Sequence, residues 1–110
     1  MTVEVLRKRS DFLRVGKNPK KASAKTVVLL AAPNELGKIR IGYTVTKKTS
    51  KLAVERNKIK RRLRAAVQEI FPVNAVSGYD YVLIGKLDVL KRDYKDLKAD
   101  LKYTLKKLSG

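Results

Sequence analysis

The stretch Ala53-Val-Glu-Arg-Asn-Lys-Ile-Lys-Arg-Arg-Leu-Arg64 carries six basic residues in the nine positions from Arg56 to Arg64, yet an apolar stripe survives among them. At ~100° per residue, Ile59, Leu63, Ala66, Val67 and Ile70 fall in one sector of a helix, while Asn57, Lys60, Arg61, Arg64 and Gln68 gather on the opposite side. The spacing predicts a helix over 52–70, closed by Pro72, with one packed face and one cationic face. Like charges three or four positions apart weaken an isolated helix. A polyanion that neutralises them is the best explanation, because Glu55 is the only acid between positions 36 and 68.

Upstream of this helix, Thr26 to Ala32 is a continuous aliphatic and β-branched run stopped by Pro33-Asn34-Glu35-Leu36-Gly37, which reads as a buried strand entering a hairpin. Its expected partner is Lys38–Thr46, where Ile39, Ile41, Tyr43 and Val45 alternate with Arg40, Gly42, Thr44 and Thr46. Downstream, Tyr79–Gly85 reads as a central strand. Leu90, Tyr94, Leu97, Leu101, Leu105 and Leu108 then recur at helical spacing, with Asp88 as a candidate cap. Near the start, Ser10-Asp11 can cap a short helix beginning at Phe12 and ended by Lys17-Asn18-Pro19. The Lys17–Lys25 stretch reads as a lysine-biased loop. The order is α-β-β-α-β-α, an α/β (α+β) two-layer sandwich with no internal repeat.

With 110 residues and 44% hydrophobic content, the chain is expected to form one domain over 1–110 that buries about two-thirds of its unfolded surface. Its net charge of +17 is unevenly placed, +15 in residues 1–66 and +2 in 67–110. Such asymmetry fits a one-sided nucleic-acid footprint, with the C-terminal half as scaffold. The absence of Cys and His removes disulfides, thiolate nucleophiles and the usual zinc ligands, which leaves carboxylate-bound Mg²⁺ as the only protein-ligated metal to consider. No run approaches a signal peptide or the ~20 apolar residues that span a bilayer. A cytoplasmic protein without a membrane partner is expected.

The run Arg40-Ile-Gly-Tyr-Thr-Val-Thr-Lys-Lys48, followed by Ala53 to Arg64, resembles the signature of the bacterial ribonuclease P protein subunit. Asp11-Phe12 resembles that family's N-terminal Asp-Phe pair, and Gly78-Tyr-Asp-Tyr-Val-Leu-Ile-Gly-Lys86 its last central strand. The resemblance implies a fold like the second domain of ribosomal protein S5, with a small mixed sheet and a left-handed βαβ crossover against the usual right-handed rule. It also implies a protein that supplies no catalytic group and no metal ligand. The catalyst would be an RNA subunit that removes the 5′ leader of precursor tRNA, with Mg²⁺ held mainly by that RNA and the substrate. No organic cofactor and no obligatory protein partner are implied.

Carried over by position, Arg56, Asn57, Lys60, Arg61 and Arg64 match the helix that meets the RNA subunit. Phe12, Arg40, Thr44 and Thr46 match a cleft that holds the single-stranded leader, joined by Lys47 and Lys48 after the strand. Phe12 reads equally as a helix-to-sheet core residue. Four departures stand out: Gly16 where the family often has a second aromatic, a first strand that begins Lys25-Thr26-Val27 without the aromatic often found there, Thr46 for Ser, and Thr49-Ser50-Lys51-Leu52 for a Gly-containing turn, where the Thr-Ser pair can cap the helix. Two other classes remain in view. A general RNA-binding or ribosomal protein would use the same charge without a leader cleft, and a self-sufficient nuclease would need clustered carboxylates. No helix-turn-helix pattern for DNA is evident.

Overall fold

Tyr79–Gly85 is buried on both faces for most of its length, so it belongs where neighbours cover both of its edges. In the computed structural model, which describes residues 3–109, this segment is the middle of a five-stranded mixed sheet. In chain order the elements are β1 (Val3–Val5), α1 (Arg9–Lys17), β2 (Lys20–Ser23), β3 (Val27–Pro33), β4 (Ile39–Thr44), α2 (Ala53–Asn74) and β5 (Tyr79–Gly85). A 3₁₀ turn (Leu87–Leu90) and α3 (Tyr94–Ser109) follow. The strand order is β1-β4-β5-β3-β2. β5 runs parallel to β4 and antiparallel to β3, with Ile41, Tyr81 and Ala31 on one rung.

This order corrects the expected hairpin between Thr26–Ala32 and Lys38–Thr46. β3 and β4 do not pair, because β5 is inserted between them. The connecting loop is splayed to admit it: Asn34 N–H donates to the Gly78 carbonyl at 2.8 Å and Gly78 N–H to the Lys38 carbonyl at 2.9 Å. Glu35 and Gly37 there take positive φ values of 57° and 67°. β1 and β2 were also absent from the expected order. The lysine-rich segment taken as a loop contains β2, an edge strand whose lysines leave it a poor template for further pairing.

α2 follows the expected stripe, burying Ile59, Leu63, Ala66, Val67 and Ile70, and it adds Phe71. Full burial of each large apolar side chain is worth about 1.5–3 kcal/mol. Each like-charge pair on the outer face costs only about 0.2–0.5 kcal/mol. Packing therefore holds the helix against its own charge. α2 continues through Pro72 to Asn74, past its expected end at 70. The proline removes one donor near the exposed end, while Phe71 anchors the last turn edge-on to Tyr81, with ring centroids 5.3 Å apart. At Gly85 α2 packs close against the sheet, since a Cβ there would lie 2.7 Å from Ile59 Cγ2.

Caps differ from expectation at three helices. α1 starts at Arg9 with no side-chain cap. Asp88 opens the 3₁₀ turn and α3 begins only at Tyr94. α2 also lacks the expected Thr-Ser cap: its N-cap is Leu52, whose N–H donates to Ser50 Oγ at 3.2 Å, and that hydroxyl donates to the Glu55 carboxylate. α2 and α3 cover one sheet face with the main core. α1 crosses the other face over a small cluster of Leu6, Val15 and Val82.

Candidate nucleic-acid interface

Packing of Ile59 and Leu63 against the sheet turns Asn57, Arg61, Arg64 and Gln68 outward, where all four are exposed. They form one row along α2 at three- and four-residue steps. Lys60 and Arg56 are half-buried beside it. Arg56 NH1 donates to the Ser50 carbonyl at 2.8 Å and so ties the helix to the preceding loop. Arg64 lies over the Tyr43 ring, 5.5 Å from its centroid. Burial pushes the Tyr43 phenol up to about 12, partly opposed by the Arg64 charge, so the ring stays neutral beneath the guanidinium. Arg62 is different: it donates to the carbonyls of Val89 and Arg92, clipping α2 to the segment before α3. The basic run thus divides into an outward row and one structural arginine.

On the opposite face of the sheet, Phe12 of α1 packs on β4 at Gly42. A Cβ on Gly42 would overlap the ring, within 2.5 Å of its Cε1, and would lie 3.2 Å from Leu6 Cβ. Phe12 packs on the small cluster and remains half-buried. Gly16, one turn further along α1, leaves open space where a Cβ would point. Thr44 shares the Gly42 face and is half-buried, while Thr46, Lys47 and Lys48 are exposed beyond the strand end.

Arg40 is on this face too, but its charge is already matched. Its Nε and NH2 each donate to Asp80 at 2.7 Å, and NH2 is 3.6 Å from Asp11. Asn34 Nδ2 also donates to Asp80 at 2.9 Å, as does Arg14 of α1, whose other nitrogen reaches the Pro33 carbonyl at 3.0 Å. Burial alone would raise the Asp80 carboxyl. The Arg40 and Asn34 hydrogen bonds and the two arginine charges overcome that and hold it below the usual carboxylate value. Arg14, Asn34 and Asp80 were missed as a group. The available signal was Asp80 itself, a lone acid inside an apolar strand, which must find a partner.

The other acids are dispersed or engaged. Asp100 accepts from Thr26 at 2.7 Å and from Arg92 at 3.1 and 3.2 Å. Among the described residues no three acids cluster as a metal site would require. Asp88, Asp93 and Asp96 flank a depression shared with Lys25, Lys91 and Arg92, whose charges oppose a cation there. This donor set does not suit a protein-held Mg²⁺. No described helix is long and apolar enough to cross a membrane.

Fold and surface together define a mixed α/β sandwich that presents a row of cations from one helix. The profile of the family described as Ribonuclease P matches residues 2–109. The Ribonuclease P protein component of Paramagnetospirillum magneticum is 43% identical over 110 residues, spanning 96% of this chain and 82% of that protein. The RNase P protein from Thermotoga maritima superposes with a TM-score of 0.83 at 30% identity, over 97% of this chain and 99% of that one. For the Staphylococcus aureus RNase P protein the TM-score is 0.76 at 26% identity, over 93% and 92%. The chain belongs to the ribonuclease P protein family, as its resemblance implied.

Proposed function

We propose that this protein binds the catalytic RNA subunit of ribonuclease P through Asn57, Arg61 and Arg64 of α2, with Lys60 and Arg56 beside them. It also holds the single-stranded 5′ leader of precursor tRNA in the cleft between α1 and the sheet. Cleavage that leaves the mature tRNA 5′ end is then performed by the RNA, with Mg²⁺ held by RNA and substrate phosphates. The protein contributes binding energy and orientation, acts in the cytoplasm and needs no second protein.

The observation that carries this reading is the separation of two surfaces by the sheet: the outward row on α2 and the Phe12–Gly42 floor on the far side. Two RNA segments can then be engaged at once. Phe12, Thr44, Thr46, Lys47 and Lys48 supply a stacking floor and a positive exit, and stacking tolerates a leader of any sequence. Arg40 serves here by fixing α1 over the sheet through Asp80 rather than as a free phosphate ligand.

Cleavage of a leader-bearing precursor tRNA at low Mg²⁺ tests the proposal, with protein alone, a bacterial ribonuclease P RNA alone, and the two mixed. Efficient cutting at the 5′ maturation site by the mixture only is expected. Cutting by the protein alone would refute the division of labour. A mixture no better than the RNA would favour a general RNA-binding protein.

A further inference from the structure

On the sheet face covered by α2 and α3, one rung places Lys20, Ala31 and Tyr81 side by side. The small Ala31 between two long side chains leaves a hollow of about 210 Å³. Tyr79 and Tyr81 form one wall, Leu105 of α3 part of the roof, and Lys20 and Asn74 the rim. Among the described residues no side-chain carboxylate lines it. The surrounding chain is free of acids as well, with none between Asp11 and Glu35 and none after Asp100, whereas Lys21, Lys102, Lys106 and Lys107 are exposed. Nothing in the proposed cleft or in the α2 row uses this hollow.

Its chemistry selects an occupant. The volume is below the ~300–1,000 Å³ of pockets for drug-sized ligands, so it admits one planar ring system. Tyr79 is half-buried and tilted 39° from Tyr81, which offers a ring face to a base. Lys20 Nζ sits 5.7 Å from the Tyr79 centroid, an exposed contact weak enough to be exchanged for a phosphate. Asn74 Nδ2 is committed to the Ile70 carbonyl at 2.8 Å. That bond takes one of the two amide hydrogens and leaves the amide oxygen at the rim as an acceptor for an exocyclic amine.

We infer that this hollow receives one unpaired, amine-bearing nucleotide of the RNA subunit, its base against Tyr79 and its phosphate near Lys20. The inference rests on the RNA-subunit partnership proposed above. The hollow opens on the same face of the sheet as α2, whereas a leader in the α1 cleft lies on the other. Asn57 and Asn74 are about 25 Å apart along α2 at 1.5 Å per residue, a distance suited to a large folded RNA.

Three measurements test it on the intact protein. Equilibrium binding to a ribonuclease P RNA across a salt series is compared for wild type, Ala31→Leu, which fills the hollow, and Lys20→Gln, which is exposed and outside the core. Ala31→Leu should weaken binding about 5- to 100-fold, as loss of one stacked base does. Lys20→Gln should lower the salt slope by about one. In NMR titrations of wild type, AMP and CMP should shift the Ala31 methyl and Tyr79 ring signals more than UMP does. Full affinity and slope in Lys20→Gln, with no Ala31 shift from AMP, overturns the inference even if Ala31→Leu does not fold. Losses confined to precursor tRNA overturn the choice of partner. If wild type itself fails to bind the RNA subunit, the partnership falls and this inference falls with it. Wild-type binding with unaffected variants removes the hollow alone.

Discussion

Replacing Asp80 by Ala is the most direct test of how α1 is held over the sheet. The Asp80 side chain is 0% exposed and accepts two 2.7 Å bonds from Arg40, one of 2.9 Å from Asn34 and one from Arg14. Deleting one member of a fully buried ion pair costs about 3–5 kcal/mol, mostly for the stranded charge. Here the arginines are not fully buried: their side chains are 41% and 22% exposed, and Arg40 keeps Asp11 at 3.6 Å. Water recovers part of the loss, so about 2–4 kcal/mol is expected, toward and under the lower end of the fully buried range. Measured by urea unfolding, that is a large share of the ~5–15 kcal/mol typical of a domain. A loss under ~1 kcal/mol, the median for a surface pair, would refute the view that this cluster anchors α1. The pH dependence provides a second reading. Asp80 is held below its unfolded value, so its contribution is complete above about pH 4 and disappears as pH falls through the lower folded value. Asp80→Asn cannot titrate, so its stability should converge on that of wild type over this acid window. Parallel curves would assign the acid sensitivity elsewhere.

Arg61→Ala and Arg64→Ala should each weaken assembly with the RNA subunit and flatten its salt slope by about one; an unchanged slope removes that residue from the interface. Arg62→Ala should leave the slope alone and destabilise the protein by about 1–3 kcal/mol, because two carbonyls lose a charged donor. Gly42→Ala should displace the Phe12 ring and reduce affinity for precursor tRNA by about 1–3 kcal/mol without affecting mature tRNA, as Phe12→Ala should; equal losses for both substrates would indicate a folding role. With a net charge of +17, the free protein should lose helical circular dichroism at low salt and regain it with sulfate. Identical spectra would show that packing alone overcomes the repulsion.

Segments with a sustained period were legible: the stripe of α2, the alternation of β4, the apolar run of β5 and the leucine spacing of α3. β1 and β2, of three and four residues, are too short to show a period, and lysines mask the single buried Ala22 of β2. The hairpin was misread because closeness in sequence was weighed above burial. β5, apolar toward both faces, competes for the central position more strongly than β4, whose outer face carries Arg40, Gly42 and Thr44. The same asymmetry applies to the site. The row on α2 follows from helical spacing alone. Arg40 could not be assigned without Asp80, which lies 40 positions away on a neighbouring strand. Arg61 and Arg62 are adjacent and chemically identical, and only the packing of the 3₁₀ turn against α2 separates a surface cation from a structural clip.

The insertion of β5 between β3 and β4 also sets a condition on synthesis. Until Tyr79–Gly85 has emerged, the two preceding strands have no ladder partner in each other, and a nascent chain displays both as open apolar edges. Closing the sheet waits on a contact that spans the whole of α2, a long loop of the kind that slows folding. Throughout that interval the exposed portion already carries the +15 of residues 1–66. Like charge of that size repels identical chains. The cations that face RNA in the finished molecule would thus protect its unfinished form from self-association.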